Sequence, residues 1–165
     1  MKSPFGSRSV LFPSLLIVLV LVAPVALALT VKAPQQQPAV LVTLEGEVTR
    51  DGKAVSVDGL QLTPGEVIIW KVRVKNRSAR TVSNVRADGL VPKGTQFVPN
   101  SFSGVGSRVE YSIDGGASYS AQPTIVVNGK VRPAPMDSYT NVRFLWDGEI
   151  AAGESKAAQY KTRLR

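Results

Sequence analysis

The sequence predicts an all-β fold, two antiparallel sheets packed as a sandwich. Three observations carry this expectation. Several short runs alternate strictly between apolar and polar residues, turn-forming residues separate them at near-regular spacing, and no amphipathic helix of ordinary length occurs after residue 29. The clearest run follows Pro64-Gly65: Ile68, Trp70, Val72 and Val74 fall on one face of a strand, with Lys71, Arg73 and Lys75 on the other. A closed barrel is the lesser possibility.

Residues 1–28 read as a secretory signal. Lys2 and Arg8 form a positive start without an acidic residue, Val10 to Leu29 is almost wholly apolar, Pro24 breaks the run, and Ala26-Leu27-Ala28 supplies a small-x-small cleavage site. The mature chain is expected to begin at Leu29. The alternative is an uncleaved anchor, because about 20 apolar residues suffice to span a bilayer; Pro24 and the alanines suit a peptidase better. Without cysteine, a lipid anchor at that point is excluded. The expected location is periplasmic, cell-surface or secreted, with membrane contact only through an uncleaved amino-terminal segment.

Residues 29–38, including Ala33-Pro34-Gln35-Gln36-Gln37-Pro38, form a polar, proline-containing linker, and residues 39–165 form the sandwich. Cleavage leaves 137 residues, enough for one domain with a core. No disulfide can hold it, since the chain has no cysteine, so burial and strand pairing must.

Along the domain, Val40 to Val48 alternates, with Val40, Val42, Leu44, Gly46 and Val48 on one side. Asp51-Gly52-Lys53 is a turn, and Val55 to Leu62 a short strand or extended connection. After the basic-backed strand, Asn76 to Arg80 turns and Val82 to Ala87 returns with Val82 and Val85 apolar. Gly89 to Gly94 is an irregular crossing, and Thr95 to Val98 a short strand. Arg108 to Ile113 alternates, ending on the hairpin signal Asp114-Gly115-Gly116. Thr124 to Val127 turns at Asn128-Gly129, and Pro133 to Asp137 is a loop. Tyr139 to Trp146 places Val142, Phe144 and Trp146 toward the core. Ala157 to Leu164 closes the domain, with Ala158, Tyr160 and Leu164 opposite Lys161, Arg163 and Arg165. Both tryptophans lie on core-facing sides, which argues against sugar stacking.

The run Pro64-Gly65-Glu66, Trp70, Val72, Val74, Asn76, Asn84-Val85, Asp88, Pro92, Gly94, Thr95, Phe97-Val98-Pro99 and Ser101 resembles the bacterial surface conserved-repeat domain, the domain of unknown function numbered eleven. Tyr139 to Arg143 with Ala152-Gly153-Glu154 is similar to the end of that domain. The resemblance covers roughly Gln61 to Arg165. It departs in an Asp88-to-Pro92 spacing one residue longer than the family's usual one, and in a single copy where members often carry many. It implies an immunoglobulin-like sandwich in an exported envelope or surface protein, with no family-wide catalytic residue.

Candidate chemistry is sparse. Ser112, Asp114, Gly116, Ser118 and Tyr119 match an Asp-box, which recurs once per blade in sialidase-like propellers. One copy cannot build a propeller, so the motif reads as a stiff turn. Asp51, Asp58, Asp88, Asp114, Asp137 and Asp147 are scattered singly, without the oxygen-rich loop that calcium needs. With no histidine and no cysteine, the Ser-His, Cys-His and zinc constellations are absent. Neither an enzyme nor a cofactor is expected.

The formal charge is +8, and removing Lys2 and Arg8 leaves 18 basic against 12 acidic residues, or +6. Lys71, Arg73 and Lys75 share one strand face, Lys161, Arg163 and Arg165 another, and Arg143 the outward side of a third. If those strands adjoin, they form a cationic patch for anionic glycans or other envelope proteins; nucleic acid is disfavoured by compartment. The competing explanation is that these residues blunt exposed sheet edges or simply keep the surface solvated. The expected function is a non-catalytic structural or adhesive role in the envelope. The alternatives are a carrier or chaperone-like module that lends a strand by β-augmentation, and a binder of anionic envelope glycans.

Overall fold

The structure is a computed structural model describing residues 38–165; the signal segment, its cleavage site and nearly all of the linker lie outside the described residues. Ten strands follow in order: β1 Val40–Arg50, β2 Lys53–Ser56, β3 Val67–Asn76, β4 Val85–Leu90, β5 Thr95–Phe97, β6 Arg108–Ser112, β7 Thr124–Val127, β8 Lys130–Pro133, β9 Asn141–Trp146 and β10 Ser155–Leu164. The remaining regular element is a single 3-10 turn at Met136–Ser138. A five-stranded sheet runs β2-β1-β3-β10-β5, a three-stranded sheet runs β4-β9-β6, and β7 and β8 form a separate hairpin. Every pairing is antiparallel. The fold is an all-β antiparallel sandwich.

The turns form where backbone chemistry permits them. Asp51 and Gly52 both have positive φ, as do Asn128 and Gly129, so each pair closes a tight hairpin whose twist matches its strands. Between the sheets, Val72, Val74, Val142, Phe144 and Tyr160 are wholly buried, and Trp146 nearly so. Burying each large apolar side chain contributes roughly 1.5–3 kcal/mol. Phe97, Tyr111, Tyr139, Phe144, Trp146 and Tyr160 meet ring to ring at 4.9–6.4 Å.

The structure departs from the expected elements in several places; one is that Gly89 and Leu90 continue β4 instead of opening the crossing to Gly94. Val42 and Leu44 share the inner side of β1, yet they are 42% and 37% exposed. Five strands face three, β4 packs over β3, and Val57 crosses only as far as Gly46. The return of the hairpin after Asp114-Gly115-Gly116 is no strand but one bridge, Tyr111 to Ser120. Residues 130–133, next to the expected loop, pair with β7. Among the described residues no helix is long and apolar enough to cross a membrane.

Candidate functional site

The outer face of the larger sheet collects five of the seven basic residues singled out in the sequence. β10 pairs with β3 so that Gln159 lies beside Lys71, Ala157 beside Arg73 and Ser155 beside Lys75, while Lys161 and Arg163 flank Ile69 and Val67. Lys71, Arg73, Lys75, Lys161 and Arg163 therefore share one surface. It spans roughly 27 Å, from the strand rise of about 3.4 Å per residue. Beyond β3, β1 brings two acids to the same face. Lys71 Nζ lies 2.6 Å from Glu47 Oε2, whereas Arg73 stands 3.9 Å from Glu45 Oε2 with both side chains more than half exposed. Lys71 is thus held in a direct ion pair, whereas the Arg73 guanidinium makes no hydrogen bond among the described residues.

Arg143 does not join this surface. It lies on β9 in the smaller sheet, so the core separates it from Lys71 and Arg73. Its guanidinium donates to Asp88 Oδ1 at 2.7 Å and Oδ2 at 2.9 Å and stacks 3.5 Å over the Tyr119 ring, while the Tyr119 hydroxyl donates to Asp88 at 3.2 Å. The Arg143 bonds hold the Asp88 carboxyl below the usual range. This cluster closes on itself and fastens the loop after β6 to β4 and β9. Arg165 also departs from the group: past the end of β10, it donates to the Asp137 carbonyl at 3.2 Å.

The Asp-box residues form the stiff turn read from the sequence. Asp114 accepts from the Ser118 amide at 2.9 Å and from the Ser118 hydroxyl at 2.6 Å, and Ser112 Oγ donates to it at 2.6 Å. These bonds, Ser112 first, keep its carboxyl far below the ordinary range. Gly115 and Gly116 take the positive φ that the turn requires. Among the described residues no three histidine, cysteine or acidic side chains gather as a metal site. Asp147 pairs with Arg108 at 2.7 Å.

Two features escaped the sequence reading. Asn76 is buried: its amide donates to the carbonyls of Arg80 at 2.7 Å, Ile150 at 3.0 Å and Ala151 at 3.1 Å, and its Oδ1 accepts from Ser78. No local pattern distinguishes such an Asn from a turn residue. The second is a groove on the basic surface, of about 280 Å³, between Lys71 and Arg73 on one side and Ser103-Gly104-Val105 on the other. It arises because residues 98–103 run alongside β10, with Val98 donating to Lys161 and Ser103 exchanging two bonds with Gln159. No family model, curated protein or solved structure matches the chain.

Proposed function

We propose that the chain is an exported, non-catalytic domain of the cell envelope that adheres to an anionic glycan through the outer face of β3 and β10. The observation that supports this reading is where the five basic residues stand. β3 and β10 are interior strands of the larger sheet, so Lys71, Arg73, Lys75, Lys161 and Arg163 are not protecting an edge. An edge-guarding role belongs instead to Lys53 on β2, Arg86 and Asp88 on β4, and Arg108 and Glu110 on β6. Those charges also make the strand-lending alternative the weaker one, although the uncovered Val42 and Leu44 lie on its side. A partner strand docked on β4 would slow hydrogen exchange there, which glycan adhesion would not.

Adhesion of this kind is Coulombic and screened over about 8 Å at physiological ionic strength. The wild type is expected to be retained on a polyuronate matrix, to elute as salt rises, and to pass through a neutral glucan. Arg73→Glu, Lys75→Glu and Lys161→Glu together, with unchanged circular dichroism, should abolish retention. Binding that ignores salt or survives the triple reversal would reject the proposal.

A further inference from the structure

We infer that the groove beside Arg73 is a subsite for a single acidic sugar, taking its carboxylate on the Arg73 guanidinium. This rests on the proposed function and deepens it: adhesion becomes recognition of a uronate unit instead of attraction to charge in general.

The groove has a structural cause. Ser103 and Gln159 exchange backbone bonds of 2.9 and 2.7 Å, and the 104–107 loop then leaves β10. Backbone groups two residues apart on a strand turn to the same side, so the N–H and C=O of Ala157 face the direction in which Gln159 meets Ser103. No loop backbone group among the described residues bonds to Ala157. A small residue keeps the floor open: Ala157 is exposed there, and a Cβ at Gly104 would meet the core-facing Ala158 Cβ at 2.7 Å, so the loop lies this close to β10 with a glycine at that position. Val105, 91% exposed, forms the outer lip.

The donors suit a carboxylated sugar. Arg73 is the direct cross-strand neighbour of Ala157, so its side chain stands on the same face as the Ala157 methyl, while the Ala157 amide points away from β3 toward the loop across the groove. A guanidinium fork binds a carboxylate through two parallel hydrogen bonds, which a lysine ammonium cannot reproduce. The acid nearest to Arg73, Glu45, stands at 3.9 Å and leaves that fork available, while Lys71 is occupied by Glu47 at 2.6 Å. The Gln159 amide and Ser103 hydroxyl, also lining the groove, offer donors and acceptors to ring hydroxyls. A volume of about 280 Å³ fits one sugar ring, not an extended ligand buried along its length.

The test is titration calorimetry of the full chain with trigalacturonate at fixed salt. It compares the wild type with Arg73→Lys, which keeps charge but loses the fork, with Ala157→Leu, which fills the floor and leaves charge untouched, and with Lys75→Glu outside the groove. Arg73→Lys and Ala157→Leu should each weaken binding at least tenfold without altering its salt dependence, and Lys75→Glu should mainly flatten that dependence. If both groove variants bind like wild type while the triple charge reversal loses binding, the subsite is wrong and general adhesion survives. If the wild type binds neither trigalacturonate nor polyuronate, both readings fall.

Discussion

Gly89 faces Tyr160 so closely that a Cβ at position 89 would lie 2.6 Å from the phenol ring and its oxygen. The phenol is wholly buried, and its hydroxyl donates to the carbonyl of Leu90. One missing methyl group on β4 thus lets the largest side chain of β10 cross the sandwich and satisfy its own polar end.

Gly89→Ala should therefore destabilise by overpacking, since the added methyl would press on a wholly buried ring. A loss of about 1–3 kcal/mol is expected. Urea denaturation measures it, and the double variant Gly89→Ala with Tyr160→Phe should recover part of the loss. An unchanged midpoint in Gly89→Ala would show that the two sheets separate readily.

Asn76→Ala removes one side chain that holds carbonyls from two different loops, at Arg80 and at Ile150-Ala151. Each carbonyl keeps a second donor (the Ser78 hydroxyl, the Val82 amide and the Glu154 amide), so the loss is that of the Asn76 hydrogen bonds themselves, about 0.5–1.5 kcal/mol each. We expect a total near 3 kcal/mol, about 1 kcal/mol for each of the three bonds. Asn76→Asp, which keeps the shape but loses the donors, should be no better. Thermal unfolding of both variants tests this, and a stable Asn76→Asp would contradict it.

The two tryptophans should respond unequally to truncation. Trp70 Nε1 donates to Thr162 Oγ1 at 2.9 Å, and Thr162 is wholly buried. Trp146 Nε1 is buried with no partner among the described residues. Trp70→Phe leaves a buried hydroxyl unpaired, at a cost of about 2 kcal/mol. Trp146→Phe loses packing but also removes an unpaired donor, so its net cost is within about 1 kcal/mol. Chemical denaturation of the pair decides the matter; a larger loss from Trp146→Phe would mean that its indole N–H is paired.

Stability should be flat across neutral pH and fall at both extremes. Hydrogen bonds lower the carboxyls of Asp88 (from Arg143), Asp147 (from Arg108), Glu66 (from the Thr63 amide, then Arg50), Asp114 (from Ser112, then Ser118) and Glu154 (from Lys156). A carboxyl more acidic when folded contributes stability in full above its unfolded value, 3.8 for Asp and 4.5 for Glu, and loses it as pH falls through the folded value. Burial raises all four tyrosines above 10.0, so their contribution is present below that pH and lost above it. With no histidine and no cysteine, no side chain of ordinary pKa titrates between about pH 5 and 8. The melting temperature should be level over that range and drop below about pH 4 and above about pH 10. A maximum confined to one unit near pH 7 would contradict this assignment.

The alternation of Trp70, Val72 and Val74 with Lys71, Arg73 and Lys75 was enough to recognise β3 and to tell its wet face from its dry one, as was the run from Val142 to Trp146 for β9. The turns at Asp51-Gly52 and Asn128-Gly129 were equally legible. Pleating and positive φ are properties of a few consecutive residues, so they leave a local mark in the chain. What stands above a face leaves none. Val42 and Leu44 alternate as well as Val72 and Val74 do, yet they stay exposed because the smaller sheet is two strands narrower than the larger one. Arg143 carries the same outward pattern as Arg73, but sheet assignment sends one to a closed pair with Asp88 and the other to an open groove. Strand order and the offset of the layers depend on contacts far apart in sequence, and they arise only when the whole chain packs.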